Sequence, residues 1–197
     1  MRSDPHPAMA HDQATLDFYA REAAAYASTG KNTASLWLSD FMRLLPAGGR
    51  VLDLGCGGGR DTEALLQHGF DVDPIDGSQA IADEAAKRLG RAVKVLRFDE
   101  LRDVERYDAI WANASLLHVP CPALSAVLAR VFRALKPGGL HFASYKAGTA
   151  DGRDGLGRYF NYPDRDALTQ AYARSAAWDI LSVTDHVGGG YEGLDWP

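Results

Sequence analysis

One ten-residue stretch, VLDLGCGGGR at positions 51–60, limits the possible folds more than any other part of the chain. It begins as a short apolar run, breaks at a cluster of glycines and leads into a helical pattern from Arg60 to His68. A run of this kind is typical of a buried strand that turns directly into a helix. Because ligands bind beyond the carboxyl ends of the strands in an open parallel sheet, the glycine turn predicts a ligand site.

The same alternation of strand and helix patterns continues through the chain. Pro74 removes a backbone donor from a predicted inner strand, so we expect a distortion there. The alternation predicts an α/β fold in three layers, with a doubly wound, mainly parallel sheet between two layers of helices. Helices are predicted near 14–27, 36–45, 60–68, 78–89, 123–135 and 164–175, and strands near 51–54, 70–75, 93–98, 107–112, 140–145 and 180–186.

Length and composition indicate a single soluble domain. The 197 residues are 46% hydrophobic and 24% charged, which are ordinary values for a globular protein. Residues 1–13 contain prolines and no apolar period, so we predict a loose lead-in without a function, followed by one domain at 14–197. Two cysteines and the lack of a signal-like segment favour a cytoplasmic protein.

Charge and hydropathy disfavour nucleic acid and membrane partners. The net charge is −5, and the lysines and arginines are scattered among carboxylates, whereas binding to nucleic acid draws on clustered cations. The longest uncharged run, 109–129, is interrupted by prolines and polar residues and is too polar to span a membrane. The expected partner is therefore a small molecule, bound by a monomer or a homodimer.

The sequence matches neither of two common nucleotide-binding motifs. The dinucleotide pattern Gly-x-Gly-x-x-Gly requires a glycine where Arg60 or Thr62 stands, and the only Gly-Lys pair, at 30–31, lacks the rest of the phosphate-loop pattern. What remains is Asp53 before the glycines and a second acid, Asp76, after the next strand. Asp53 would repel a pyrophosphate and attract an ammonium or a sulfonium group. Asp76 has about the spacing of an acid that binds ribose.

In this order and spacing, five short stretches resemble the class I S-adenosylmethionine-dependent methyltransferases. They are VLDLGCGGG at 51–59, DGS at 76–78, FD at 98–99, YDAI at 107–110 and LKPGGL at 135–140. The resemblance covers about residues 19–186 and implies a Rossmann-like methyltransferase fold with S-adenosylmethionine as the methyl donor. It divides the domain into a helical lid at 14–46, a cofactor-binding core at 50–147 and a substrate side at 148–197.

The resemblance also implies roles for individual residues. The first acid and the glycine loop would hold the methionine amino end, the second acid would bind ribose, and the glycine after it would lie along the nucleoside. Two residues after the third strand would flank the adenine, and the second of them would accept from its amino group. Two further residues, beyond the fourth strand, would border the cofactor near the methyl group. In that order these residues are Asp53, Gly55, Cys56, Gly57, Asp76, Gly77, Phe98, Asp99, Asn113 and Leu117.

Three other residues each have a functional and a structural interpretation. Tyr19 and Tyr26, seven apart on one helix, resemble the tyrosines that close a lid over the cofactor in many relatives, but an aromatic pair at this spacing is also typical of a core. Arg60 would either bind the methionine carboxylate or be solvated on the new helix. The small size of the Cys56 side chain is enough to explain its presence between glycines.

Methyl transfer from a sulfonium depends mainly on orientation, and a base is needed only where the acceptor loses a proton. His118 is the candidate base, with Lys146, Tyr159 and Tyr162 as further possibilities, although a histidine in an apolar stretch is often purely structural. The family's Asn-Pro-Pro-Tyr signature for methylating amide or base nitrogens is absent, since the sequence at 113–116 is NASL. We therefore predict a small organic acceptor, and no metal site is indicated.

Two alternative functions stay open at this point. One is a non-catalytic module that keeps the fold and binds the cofactor or a partner, and the less favoured one is a nicotinamide-linked oxidoreductase. The family sheet ends with an antiparallel strand for which no residues are left after the glycines at 188–190. We therefore expect that strand to be missing here and the natural chain to continue past residue 197.

Overall fold

The computed structural model describes residues 9–28 and 34–186. Its main strands are β1 (Arg50–Leu54), β2 (Asp71–Asp76), β3 (Lys94–Val95), β4 (Tyr107–Ala112) and β5 (Leu135–Ala143). Within the described residues they form one five-stranded sheet in the order β3-β2-β1-β4-β5, with every neighbouring pair parallel. This order confirms the doubly wound α/β fold predicted from the sequence.

Helices cover both faces of this sheet. They are α1 (Gln13–Ser28), α2 (Leu38–Met42), α3 (Arg60–Gln67), α4 (Gln79–Leu89), α5 (Cys121–Ala134) and α6 (Arg165–Ser175). Two short 3₁₀ turns, Phe98–Glu100 and Leu116–His118, follow β3 and β4. A small antiparallel hairpin, β6 (Gly152–Arg153) and β7 (Tyr159–Phe160), lies between β5 and α6.

The alternation of side chains along the central strands produces two apolar cores, one on each face of the sheet. Leu52 and Ile110 belong to the core that contains α5, whereas Val51 and Trp111 belong to the core that contains α2 and α3. Successive residues of a strand point to opposite faces, so a strand covered on both sides must be apolar at nearly every position. The result is the predicted three-layer arrangement, with β1 at the centre.

Strand β3 is shorter than predicted at both ends, and Pro74 accounts only for its later start. The predicted strand covered 93–98, but only Lys94 and Val95 pair with β2, opposite Ile75 and Asp76. Proline has no backbone donor for a ladder, and the pairing of β2 with β3 begins one residue after it. On the other side the register of β2 with β1 runs without interruption through Pro74.

The strand predicted at 180–186 is wrong. Those residues are described and form no strand, and β5 is the last strand of the main sheet within the described part of the chain. Ile180, Leu181 and Val183 are exposed. Their residue types favour a strand, but in the described part of the chain no neighbouring strand pairs with them. The expected absence of the family's last strand concerns residues after 186, which lie outside the described residues.

The predicted loose lead-in is also wrong for its described part, residues 9–13. Ala10 is buried, and the carboxylate of Asp12 accepts a hydrogen bond from the backbone nitrogen of Thr15 at 2.9 Å. Such a bond caps the first turn of a helix. The segment before α1 is therefore packed against the domain. Residues 1–8 lie outside the described residues.

Candidate active site

A cleft lies at the carboxyl ends of the central strands, where the strand order reverses on either side of β1. Its walls come from the turns after β1, β2, β3 and β4, and α1 covers it together with the residues just before that helix. In doubly wound sheets this switch point is where ligands bind. The position of the cleft is therefore the one that the glycine motif predicts.

The glycine loop after β1 leaves no room for side chains. Gly55 has a φ of 82°, and a Cβ atom there would lie 2.5 Å from the Cβ of Ser115. Gly57 has a φ of 54°, and a Cβ atom there would lie 3.2 Å from the hydroxyl oxygen of Tyr26. Both glycines line the cleft. Only glycine combines the left-handed backbone with this close approach.

Asp76, at the end of β2, lines the same cleft beside the glycine loop. Its carboxylate accepts hydrogen bonds from the backbone nitrogens of Gly57, at 3.1 Å, and Ser78, at 2.9 Å. Burial raises the pKa of Asp76 from its usual 3.8 to about 6, against the lowering effect of these hydrogen bonds. The carboxylate thus joins the turns after β1 and β2. Gly77 lines the cleft next to it.

Asp53, in contrast, does not line the cleft. This residue is only 2% exposed, and its carboxylate accepts a hydrogen bond of 2.5 Å from the hydroxyl of Thr62 in α3. Burial, with the charge of nearby Asp61, raises the pKa of Asp53 from 3.8 to about 8. The expectation that Asp53 touches the ligand is not supported by this placement, because the alternation along β1 turns its side chain toward α3.

Four more residues expected near the cofactor lie behind the cleft wall. Cys56 is buried, and its sulfur contacts the carbonyl of Gly57 at 3.7 Å. Asn113 donates to Asp61 and accepts from the hydroxyl of Ser144, so it ties the ends of β4 and β5 together. Arg60 and Leu117 also do not line the cleft, whereas Ser115 and His118, which flank Leu117, do.

The turn after β3 also lines the cleft, through Arg97 and Phe98. Asp99 is the next residue of this turn. One carboxylate oxygen of Asp99 is buried and has no hydrogen-bond partner among the described residues, although the Nε atom of Arg97 lies 3.5 Å away. A buried oxygen of this kind is unusual in a folded protein and is a candidate acceptor for a ligand.

Tyr19 and Tyr26 both face the cleft from α1, which favours the lid interpretation over a purely apolar core. Their rings meet edge to face with centroids 5.2 Å apart. Across the cleft, the Tyr19 hydroxyl lies 3.0 Å from Nε2 of His118. Helix α1 is therefore joined to the turn after β4.

The hydrogen bonds of His118 determine its tautomer. Nδ1 lies 2.6 Å from the backbone carbonyl of Tyr159, which can only accept, so Nδ1 carries the proton. Nε2 then accepts from the Tyr19 hydroxyl. Burial lowers the pKa of His118 from 6.5 to about 4, and the nearby charge of Arg158 acts in the same direction. His118 is consequently a neutral imidazole at neutral pH, with an acceptor nitrogen toward the cleft.

Three contacts, which we call the α1–hairpin contacts, hold α1 against the β6–β7 hairpin. Arg153 forms a two-point ion pair with Asp12 at 2.6 and 2.9 Å. The backbone nitrogen of Tyr159 donates to the Thr15 hydroxyl at 2.8 Å, and Arg158 donates to the Tyr19 hydroxyl at 3.3 Å.

The other polar residues proposed for the substrate side stay out of the cleft. The Lys146 ammonium lies 4.2 Å from the ring centroid of Phe160, and the ring of Tyr162 stacks on that of Phe160 with centroids 5.3 Å apart. Tyr159 acts on the site through its backbone rather than its hydroxyl, which donates to Asp151. No group of three or more metal-binding side chains occurs among the residues described. None of the described helices is long and apolar enough to cross a bilayer.

Sequence reasoning missed several cleft residues, and most of them lie before or within α1. They have no motif of their own, so only the helical period of α1 gave a signal for the later ones. The cleft residues missed are Ala10, His11, Asp12, Thr15, Leu16, Ile81, Arg97, Ala114 and Ser115.

Comparison with known proteins agrees with this geometry. Residues 51–139 match a family model described as a methyltransferase domain. The ubiquinone biosynthesis O-methyltransferase of Pseudomonas fluorescens (strain Pf0-1) is 36% identical over 119 residues, which cover 55% of this chain and 48% of that protein. The chain thus spans about half the length of the curated relatives it matches.

Solved structures share the fold at lower identity. The 1,6-didemethyltoxoflavin-N1-methyltransferase of Burkholderia thailandensis, solved with S-adenosylhomocysteine, has a TM-score of 0.63 at 20% identity and covers 88% of this chain and 81% of its own. The [4+2]-cyclase SpnF has a TM-score of 0.60 at 20% identity and covers 82% and 68%. The family model, the glycine loop and the strand order agree, and the chain is similar in sequence and fold to S-adenosylmethionine-dependent methyltransferases.

Proposed function

We propose that this protein transfers the methyl group of S-adenosylmethionine to a hydroxyl group of a small organic molecule. The observation that carries the proposal is the placement of Asp76 beside the glycine loop, in a cleft at the switch point of the sheet. The methyl donor is implied by the family. The hydroxyl acceptor is supported by the name of the curated O-methyltransferase relatives and by the neutral imidazole in the cleft.

The residues of the cleft fit an adenosyl ligand along its whole length. The glycine loop exposes backbone where the methionine part would lie, and the Asp76 carboxylate is placed to accept from ribose hydroxyls. Phe98 offers an apolar surface for the base, and the buried oxygen of Asp99, which has no hydrogen-bond partner among the described residues, matches its amino group. When bound, S-adenosylmethionine supplies a methyl group activated by the positive sulfonium.

The electrostatics of the cleft favour a positively charged ligand. Asp76 lines the wall, and Asp53 lies beneath the loop that separates it from the cleft. The pKa of Asp76, raised to about 6, leaves its carboxylate ionised at neutral pH, so it attracts a positively charged ligand. Asp53, whose pKa is raised to about 8, keeps its proton at neutral pH and acts on the ligand through the position of the loop.

His118 and Tyr19 together can take a proton from the acceptor. The Tyr19 hydroxyl donates to Nε2 of His118, so an acceptor hydroxyl that donates to the Tyr19 oxygen can pass a proton to it while Tyr19 passes its own proton to His118. The Tyr159 carbonyl keeps Nδ1 protonated and holds Nε2 ready to accept. Orientation of the acceptor against the methyl group remains the main catalytic effect.

Acceptor choice is assigned to α1 and to the β6–β7 hairpin. Both elements border the cleft on the side of His118 and are joined by the α1–hairpin contacts. Loops and small hairpins on a rigid scaffold commonly carry specificity, since they change without disturbing the core.

The proposal is tested by transfer of a labelled methyl group. The purified protein is incubated with methyl-labelled S-adenosylmethionine and a panel of small molecules with phenolic, alcoholic, amino or carboxyl groups. We expect label in phenolic or alcoholic products and at least a tenfold lower kcat in His118→Gln, with a shifted pH profile. His68→Gln is the matched control, because His68 is exposed and lies outside the cleft.

Two results would contradict it. Label only in amino or carboxyl products would overturn the hydroxyl acceptor. Binding of S-adenosylhomocysteine without methyl transfer to any class of acceptor would favour the non-catalytic module, since the same fold also occurs in a protein named as a cyclase.

A further inference from the structure

His11 lies in the cleft wall, just before α1, and its backbone is fixed on both sides. Ala10, which precedes it, is buried in the same core as Phe98. Asp12, which follows it, caps the first turn of α1 and is paired with Arg153. The backbone at His11 is thus anchored on both sides.

The Nδ1 atom of His11 is buried and has no hydrogen-bond partner among the residues described. Buried polar atoms nearly always have a partner, so an exception calls for an explanation such as a ligand. His68 shows the usual behaviour, because its Nδ1 bonds to the carbonyl of Ala64 at 2.8 Å although the residue is exposed. His11 therefore has an unused donor or acceptor at the wall of a ligand cleft.

The neighbours of His11 indicate which part of the cleft it serves. Ala10, directly before it, is buried in the core against which Phe98 packs. Arg97 and Phe98, from the turn after β3, line the same cleft as His11. His11 therefore shares the part of the cleft that Phe98 lines.

We propose that His11 is a nucleoside-binding residue, which hydrogen-bonds through Nδ1 to the adenine end of the adenosyl ligand. The inference rests on the proposed function, since it takes S-adenosylmethionine as the ligand. An imidazole nitrogen either donates or accepts, and adenine offers ring acceptors and an amino donor along its edge. Neither the family motifs nor the glycine loop involves this position, which lies outside the matched residues 51–139.

Calorimetric titration with S-adenosylhomocysteine and with adenosine tests the inference without measuring activity. We expect His11→Ala to raise the Kd of both ligands about tenfold, as for the loss of one buried hydrogen bond. His11→Asn keeps a polar atom near the position of Nδ1 and is expected to restore most of the affinity. His68→Ala is the control, and thermal unfolding confirms that each variant is folded.

The outcomes separate this inference from the proposed function. Wild-type binding with equal Kd values for His11→Ala and His68→Ala would overturn the role of His11 alone. Weaker binding of S-adenosylhomocysteine with unchanged binding of adenosine would place His11 at the methionine or acceptor end and overturn the inference as well. Failure of the wild type to bind either ligand would overturn both proposals.

Discussion

Asp53 is a buried carboxyl group that lies under the glycine loop and does not line the cleft. Its pKa is raised to about 8 by burial. A raised acid pKa means that the folded state keeps a proton that the unfolded state releases above about pH 4. The stabilisation is fully present below the unfolded value of 3.8 and is lost as the pH rises through 8.

Asp53→Asn should therefore change how stability depends on pH. Asparagine imitates the protonated acid, so we expect the free energy of unfolding of the variant, relative to wild type, to increase from pH 5 to about pH 8 and then to level off. Urea unfolding at pH 5, 7 and 9 measures the difference. Asp179→Asn, at an exposed position, is the control and should show a constant difference. A constant difference for Asp53→Asn too would mean that Asp53 is ionised in the folded protein.

Gly55 is the residue whose replacement is expected to cost most in the glycine loop. Its φ is 82°, and the methyl group of an alanine there would lie 2.5 Å from the Ser115 Cβ, so alanine has no relaxed position. We expect Gly55→Ala to lower the free energy of unfolding by about 2 kcal/mol or more. Gly152→Ala is the matched control, because a Cβ there has open space and the backbone is not left-handed. Equal urea midpoints for the two variants would contradict this strain.

At the residue scale the sequence predicted strand ends better than side-chain directions. Asp76, Gly57 and Phe98 line the cleft because they follow strands directly, and the strand patterns located those ends. Asp53 and Asn113 are equally close to strand ends in the sequence, but their side chains point away from the cleft. The direction of each side chain depends on the alternation along the strand and on the backbone of the first residues after it. No pattern of residue types distinguishes the two cases.

At the element scale, α1 and the β6–β7 hairpin act as one cover over the cleft. Arg153 is the exposed partner of the pair with Asp12, whose pKa is lowered to about 2 chiefly by that hydrogen bond. A lowered acid pKa gives stabilisation above the unfolded value of 3.8 that is lost as the pH falls toward 2. The pair is thus intact at neutral pH.

Arg153→Gln should loosen this cover without damaging the core. We expect the dissociation rate of S-adenosylhomocysteine to rise severalfold, because the N-terminal end of α1 loses its link to the hairpin. Stopped-flow or surface plasmon resonance measures the rate. Arg165→Gln breaks a comparable exposed pair with Asp185 away from the cleft and should leave the rate unchanged. The same rate in both variants would show that the pair does not hold the cover.

The elements that the sequence predicted well are those with a buried period. Strands β1, β2 and β4 and helices α3, α4 and α5 lie within two residues of their predicted bounds, because each buries a regular face. Helix α6 also lies within two residues of its predicted bounds, although none of its residues is fully buried. The β6–β7 hairpin was not predicted, since strands of two residues are too short to show a period. The wrong strand at 180–186 had the right residue types but no neighbouring strand to pair with.

At the scale of the whole molecule, the strand order determines where chemistry can occur. Helices pack on both faces of the sheet, and the reversal beside β1 leaves the cleft open at one edge. Local patterns predicted the alternation of strands and helices, but the order of the strands in the sheet depends on contacts between residues far apart in the chain. The strand order brings Asp76 into that cleft, and the proposed function depends on Asp76 binding the ligand there.

Titration of S-adenosylhomocysteine against the wild type and Asp76→Asn tests this link. We expect one-to-one binding by the wild type and a Kd raised about tenfold or more in Asp76→Asn, as for the loss of a hydrogen bond to a charged group. Asp71→Asn, at the opposite end of β2, should bind as the wild type does. Absence of binding by the wild type, or equal Kd values for Asp76→Asn and Asp71→Asn, would show that the adenosyl ligand is not held at this cleft.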